Sequence, residues 1–151
     1  MLAQFNLGRC YHKGIGVPKD AVAAVAWYRK AAGQDDAMGE FNLGVCLAKG
    51  DGATENAVDV VGWFRKAADQ GLAEAQYNLG VCYANGDGVA SNYVEAHKWI
   101  NLAAAKGDED AKQTLPNVER RLTSGQISEA QRLAREFKPR KPVQQGGFVS
   151  R

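Results

Sequence analysis

Cysteine and histidine are among the residues of this chain that could hold a metal ion or act as a nucleophile. The cysteines, Cys10, Cys46 and Cys82, are separated by intervals of 36 residues, and the histidines are His12 and His97. Cys10 and His12 stand two positions apart, so a helix would point them to different sides, which argues against a zinc site or a Cys–His catalytic pair. Packed helices lie about 8–10 Å apart, whereas a disulfide needs Cα atoms within about 7 Å, which favours buried thiols. We therefore predict no metal, and the thiols favour a reducing compartment.

Three glycine triplets resemble the glycine-rich loops that hold phosphate groups. They are GIG at 14–16 and GDG at 50–52 and 86–88. None belongs to a complete Walker or dinucleotide-binding fingerprint, and their regular interval favours turns, where glycine permits a positive φ. The sequence therefore predicts no cofactor, no catalytic residue and no enzyme.

The cysteines and the glycine triplets belong to a repeat of 36 residues. FNLGRCYHKGIGV from Phe5, FNLGVCLAKGDGA from Phe41 and YNLGVCYANGDGV from Tyr77 align without a gap, and AWYRKAA, GWFRKAA and KWINLAA follow in the same register. A fourth copy begins at Ala111 and breaks at Pro116. Such a period is typical of repeat architectures. We assign the repeats to residues 3–38, 39–74 and 75–110.

Each repeat contains two predicted amphipathic helices, named helix A and helix B. Their apolar positions in the first repeat are Ala3, Leu7, Cys10 and Tyr11 in helix A and Ala24, Trp27, Tyr28 and Ala31 in helix B. The predicted N-caps of helix B are Asp20, Asn56 and Asn92. One hairpin cannot bury such stripes alone, whereas stacked hairpins share a continuous core. The sequence therefore predicts an all-α solenoid, with Trp27, Trp63 and Trp99 in its core.

The end of the chain departs from the repeat and changes in charge. Residues 111–138 are predicted to form a capping helical hairpin, in which Thr123 and Gln126 have the spacing of a capping box. Residues 1–111 carry 10 Lys and Arg against 14 Asp and Glu, and residues 112–151 carry 9 against 3. We predict one domain over residues 1–138 and a basic, disordered tail over residues 139–151.

The repeated residues resemble those of the Sel1-like repeat family, a relative of the tetratricopeptide repeat. The pattern A-x-x-x-L-G-x-x-Y-x-x-G-x-G-V, followed by D-x-x-x-A-x-x-W-Y-x-K-A-A, is met almost fully by residues 3–37 and 75–111. The departures are Asp35, Gly39, Leu47 and Ala53, and they concern the turn between the first two repeats. The resemblance implies a right-handed superhelix with a concave face lined by A helices. It also implies adaptor or scaffold work and no common catalytic residues.

The inner side of the A helices carries the predicted partner-binding residues. These are Phe5, Arg9, Lys13, Phe41, Val45, Lys49, Tyr77, Val81 and Asn85. Aromatic and cationic side chains suit an extended or helical peptide. Under an alternative interpretation, Phe5, Phe41 and Tyr77 pack against the neighbouring repeat. Val45 and Val81 argue against a cluster of polar groups that would hold a C-terminal carboxylate.

We therefore predict an interaction module for a protein or peptide partner, with no small-molecule substrate. In the alternative function, the basic cap and tail act on an acidic partner, an anionic lipid or nucleic acid, but few aromatic residues in the tail could stack on bases. The apolar end of the first repeat predicts weak self-association.

No apolar stretch approaches the roughly 18 residues of a spanning helix, and the start of the chain lacks the order of a signal peptide. The chain is therefore expected to be soluble and cytoplasmic, or periplasmic, secreted or lumenal if a signal preceded it.

Overall fold

The computed structural model describes residues 2–50 and 56–140, and within these residues it contains eight α-helices and no strand. The helices are α1 (Leu2–Lys13), α2 (Ala21–Ala32), α3 (Ala37–Lys49), α4 (Ala57–Asp69), α5 (Ala73–Asn85), α6 (Tyr93–Ala105), α7 (Glu109–Glu119) and α8 (Ser124–Glu136). The A helices are α1, α3 and α5, and the B helices are α2, α4 and α6. The predicted all-α class is confirmed. Most of the tail that we predicted to be disordered, residues 141–151, lies outside the described residues.

Side-chain caps start the B helices at the predicted positions. The Asp20 carboxylate accepts a hydrogen bond from the backbone N–H of Ala23 at 3.1 Å, and the Asn56 side chain accepts one from Asp59 at 2.9 Å. Asn92 accepts from two backbone N–H groups at the start of α6. Each cap satisfies donors that the first helical turn leaves without partners.

The turn from one repeat to the next requires a left-handed residue. Gly71 and Gly107 follow α4 and α6 with φ of 94° and 96°, and Asp35 takes the equivalent position after α2 with φ of 59°. Asp is among the few residues other than Gly that enter this region readily. At Gly39, a Cβ would lie 2.6 Å from the Cβ of Ala31. The departures from the repeat pattern at Asp35 and Gly39 therefore fall at the close junction of α2 and α3.

Each helix packs against the next one along the chain, from α1 to α7, which produces a solenoid of stacked hairpins. The approach within the hairpins is close because Gly8, Gly44 and Gly80 face the partner helix. A Cβ would lie 2.8 Å from Cε1 of Phe64 at Gly44 and 2.5 Å from Cγ1 of Ile100 at Gly80. These glycines are therefore required by packing between helices A and B.

Burial of equivalent residues follows the repeat only in part, as Leu7 and the tryptophans show. Leu43 and Leu79 are fully buried, whereas the equivalent Leu7 is exposed, because no described element covers that side of α1. Among the three tryptophans only Trp99 is buried, at 2% exposure. Trp27 and Trp63 are half-buried, so the prediction that all three belong to the core was wrong for these two.

The two helices after the third repeat cover α6. Both α7 and α8 pack against it, and α8 begins with the predicted capping box between Thr123 and Gln126. Phe137, directly after α8, lies edge-on to Trp99, with ring centroids 5.4 Å apart. This contact explains why the third tryptophan alone is buried.

No helix in the described part of the chain combines the length and the apolar character needed to cross a bilayer.

Candidate protein-interaction surface

Three positions of each A helix hold side chains that remain at least partly accessible and form one surface, which we name the helix A face. Residues separated by three and seven positions share one side of a helix. The face consists of Asn6, Arg9 and Lys13 in α1, Asn42, Val45 and Lys49 in α3, and Asn78, Val81 and Asn85 in α5. All nine residues are exposed or half-buried. The sequence analysis named six of these nine residues as partner contacts.

The aromatic residues of the predicted site do not belong to this face. Phe5 and Phe41 are only 8% and 9% exposed, and their ring centroids lie 5.9 Å from those of Tyr28 and Phe64 respectively. They therefore cannot offer a partner the contact area that we expected of them. Their burial instead matches the alternative interpretation, in which the aromatic side chains pack inside the array.

Tyr77 occupies the same position in the third repeat but is half-buried. Its hydroxyl oxygen lies 3.2 Å from Oγ1 of Thr114 on α7. This hydrogen bond joins the third repeat to the cap, so the hydroxyl already has a partner within the chain.

Three asparagines of the helix A face were missed by the sequence analysis. Asn6, Asn42 and Asn78 follow the aromatic residue in every copy of the F/Y-N-L-G segment. An amide side chain donates and accepts hydrogen bonds, which matches the groups of a peptide backbone. Asn42 is half-buried, and its side-chain amide donates a hydrogen bond to the carbonyl of Met38 at 2.8 Å. The signal was present in the sequence as a polar residue retained in all three repeats.

The charged residues of the helix A face are all positive and lie on α1 and α3. Arg9, Lys13 and Lys49 contribute three cations from α1 and α3, and none of the nine residues is acidic. The three positions of α5 are neutral. The arrangement can therefore accept carboxylates at one end and backbone or apolar groups along its length.

The cysteines and histidines do not form a reactive site in the described residues. The cysteines are thiols, and burial raises the pKa of Cys82 to about 11, which makes it a poor nucleophile at neutral pH. His97 is buried and its Nε2 lies 2.8 Å from a carboxylate oxygen of Glu119, which joins α6 to α7. Within the described ranges, no cluster of His, Cys, Asp and Glu could hold a metal ion.

Glu40 is a buried acid that the sequence analysis did not single out. It is fully buried, and its Oε1 accepts a hydrogen bond from the Gln70 side chain at 2.9 Å. The guanidinium of Arg140 lies 3.9 Å from Oε2 and 3.8 Å from the Asp35 carboxylate. Burial raises the pKa of Glu40 to about 7, against the lowering effects of Gln70 and Arg140. Glu40 is at the junction between repeats, apart from the helix A face, and its contacts are structural.

The fold and this surface define an α-solenoid of helical hairpins with an exposed face along its A helices. The sequence pattern of the Sel1 repeat family matches residues 2–36, 37–72 and 73–108, and the chain belongs to that family. Sel1 repeat proteins generally act as protein-interaction modules. The predicted family is therefore confirmed.

Two solved structures show the same fold. A Sel1 repeat protein from Oxalobacter formigenes is 43% identical, with a TM-score of 0.73, over 76% of this chain and 45% of that one. The protein c5321, a protective antigen present in uropathogenic Escherichia coli strains that displays an SLR fold, is 31% identical, with a TM-score of 0.83, over 97% of this chain and 35% of that one. The chain thus spans less than half of the length of either protein. Comparison with curated protein sequences found no match.

Proposed function

We propose that this chain is an adaptor or scaffold module that holds a segment of a protein partner on the helix A face. The observation that carries the proposal is the repetition of exposed or half-buried residues at the same three positions of α1, α3 and α5. Val45 in addition packs against the buried core. A surface that is repeated in register suits a partner that extends along several repeats.

The side chains favour an extended acidic segment as the partner. Asn42 and Asn78 offer amide groups to a peptide backbone, and Val45 offers a central apolar contact. Arg9 and Lys49 attract carboxylates, and Arg can bind them through two parallel hydrogen bonds. We infer that backbone contacts provide much of the affinity, whereas the cations select acidic sequences.

The alternative function through the basic cap is supported less well. Arg132 is held by Glu129 at 2.6 Å and by Glu136 at 2.8 Å on the same helix. The guanidinium of Arg121 lies 5.3 Å from the centre of the Tyr93 ring. Because these cations are engaged within the chain, a partner would have to compete for them.

Charge reversal on the helix A face tests the proposal. The triple variant Arg9→Glu, Lys13→Glu and Lys49→Glu is compared with a matched triple variant, Lys19→Glu, Arg135→Glu and Lys138→Glu, which changes net charge equally outside the face. We expect a partner captured from lysate by the parent chain to be retained by the matched variant and lost by the first. Circular dichroism checks that both variants are folded. Capture lost only by the matched variant would favour the basic cap instead.

A further inference from the structure

The segment that follows α8 runs back along the array and contacts all three repeats. We name residues 137–140 the C-terminal strap. Phe137 lies on Trp99 of the third repeat, with ring centroids 5.4 Å apart. A Cβ at Gly71, in the turn from the second repeat to the third, would lie 3.6 Å from Cβ of Pro139. The last residue of the strap reaches the junction between the first two repeats.

Arg140, at the end of the strap, binds the C-terminal end of α4. Its backbone N–H donates a hydrogen bond to the carbonyl of Asp69 at 2.6 Å, and its guanidinium donates one to the carbonyl of Lys66 at 3.3 Å. Both carbonyls belong to the last turn of α4, where a helix leaves carbonyls without a donor of its own. A cation is also favoured at this end of the helix dipole. Arg140 therefore caps a helix that lies 70 positions earlier in the sequence.

The same guanidinium faces two carboxylates at the junction of α2 and α3. It lies 3.8 Å from Oδ1 of Asp35 and 3.9 Å from Oε2 of Glu40. Glu40 is fully buried, and Oε2 accepts no hydrogen bond from the described residues. At this distance the guanidinium attracts the oxygen without forming a hydrogen bond. The strap therefore ends beside a buried acceptor, and a movement of about 1 Å would bring the two groups to the length of a charge-assisted hydrogen bond.

The attraction between Arg140 and Glu40 depends on one proton. An ionised carboxylate attracts the guanidinium, whereas a protonated carboxyl carries no charge to attract it. Burial raises the pKa of Glu40 to about 7, so both forms are populated near neutral pH. The other groups that act on this carboxyl are Asp35 from the turn before α3, Lys66 from α4, and Gln70, which donates a hydrogen bond.

We propose that the C-terminal strap is a proton-controlled clamp, in which ionised Glu40 holds Arg140 at the junction of the first two repeats and protonated Glu40 loosens it. Phe137 stays on Trp99 in both states, because no titrating group takes part in that contact. When closed, the strap ties the cap to the first two repeats across the third. The strap shares no residue with the helix A face, so the proposal stands apart from the proposed function.

NMR of the full chain labelled with ¹³C and ¹⁵N tests the clamp directly. The heteronuclear NOE of the Arg140 amide reports how well the end of the strap is ordered, and the side-chain ¹³C shift of Glu40 reports its ionisation. Both are followed from about pH 5 to about pH 8, which brackets the titration. We expect the order of Arg140 to increase as the pH rises, with the same midpoint as the Glu40 carboxyl.

A variant that cannot ionise separates Glu40 from other titrating groups. Glu40→Gln keeps the shape of the side chain, and the fold accepts an amide here because Gln4 and Gln76 are the equivalent residues. We expect low order at Arg140 that no longer depends on pH. Glu74→Gln, which removes an exposed carboxyl from α5, is the matched control and should retain the transition of the parent.

Replacing the cation tests the reverse effect. Because Arg140 lowers the pKa of Glu40 against the effect of burial, Arg140→Gln should raise the midpoint of the Glu40 titration by about 0.5 pH unit. Arg140→Lys retains the charge and should leave the midpoint close to that of the parent. A residue that only packs against the array would not produce this difference between the two variants.

Three results would overturn the clamp. One is an Arg140 signal in the parent that does not change over the pH range of the titration. Another is a transition that persists in Glu40→Gln, which would assign it to a different group. The last is a Glu40 midpoint that is the same in the parent and in Arg140→Gln, which would show that the two charges do not interact.

Discussion

At the scale of single residues, the buried carboxyl of Glu40 distinguishes the second repeat from the others. The equivalent residues, Gln4 and Gln76, are amides, and an amide can be buried without a change of charge. In the second repeat, the Glu40 carboxyl is contacted by the side chains of Gln70 and Arg140, and Arg140 lies near the far end of the sequence. The substitution was visible in the sequence, but its partner was not, because 100 positions separate the two residues. Long-range pairs of this kind do not follow from a local repeat.

Glu40 makes the stability of the protein depend on pH. Its pKa rises from 4.5 to about 7 on folding, so between these values the folded state keeps a proton that the unfolded state has lost. Stability from this group is therefore complete below pH 4.5 and falls as the pH rises towards 7, by at most about 3 kcal/mol. Asp35, Lys66, Gln70 and Arg140 surround the carboxyl and set the balance. We expect urea unfolding of Glu40→Gln to lack most of this decline.

The exposed carboxyl of Glu74 provides the control for this measurement. Glu74→Gln removes an exposed acid of the same type from α5 and therefore controls for the loss of one carboxyl group in itself. A parent and a Glu40→Gln variant with parallel profiles between pH 4.5 and 7 would show that Glu40 ionises normally in the folded state.

At the scale of helices, local sequence predicted the elements well and their packing partners less well. The caps at Asp20, Asn56 and Asn92 were predictable because the side chain and the backbone N–H that it caps lie within three residues. The burial of the tryptophans was not, since identical positions in three repeats have different surroundings. Trp99 is covered only because α8 crosses α6, and no periodicity in the sequence contains that information.

Truncating the tryptophans tests how α8 covers the third repeat. Trp99→Ala removes a buried side chain together with its contact to Phe137, and we expect a loss of about 3–5 kcal/mol in the free energy of unfolding. Trp63→Ala should cost only about 1–2 kcal/mol, because water already reaches part of its ring. Chemical denaturation of both variants measures the difference. Equal losses would contradict the role of α8 as the cover of the third repeat.

At the scale of the whole molecule, the repeat places the helix A face in register across three hairpins. The sequence analysis placed its predicted contacts on the A helices, but it included the buried Phe5 and Phe41 and left out Asn6, Asn42 and Asn78. The difference has a physical cause. Phe5 and Asn6 point about 100° apart on an α-helix, so the width of the buried stripe decides whether Phe5 belongs to the core or to the accessible face. That width is set by packing against Tyr28 and its equivalents rather than by the repeat itself.

The most direct test of the account is to ask whether a partner touches the helix A face. A photo-crosslinking amino acid is placed at Val45, in the centre of the face, and for comparison at Ile15, an exposed apolar residue in the loop after α1. After irradiation in lysate, crosslinked species are isolated and identified by mass spectrometry. We predict a discrete protein adduct at Val45 and none at Ile15. Adducts at Ile15 alone, or none at Val45 while the intact chain still captures its partner, would contradict the helix A face as the binding surface.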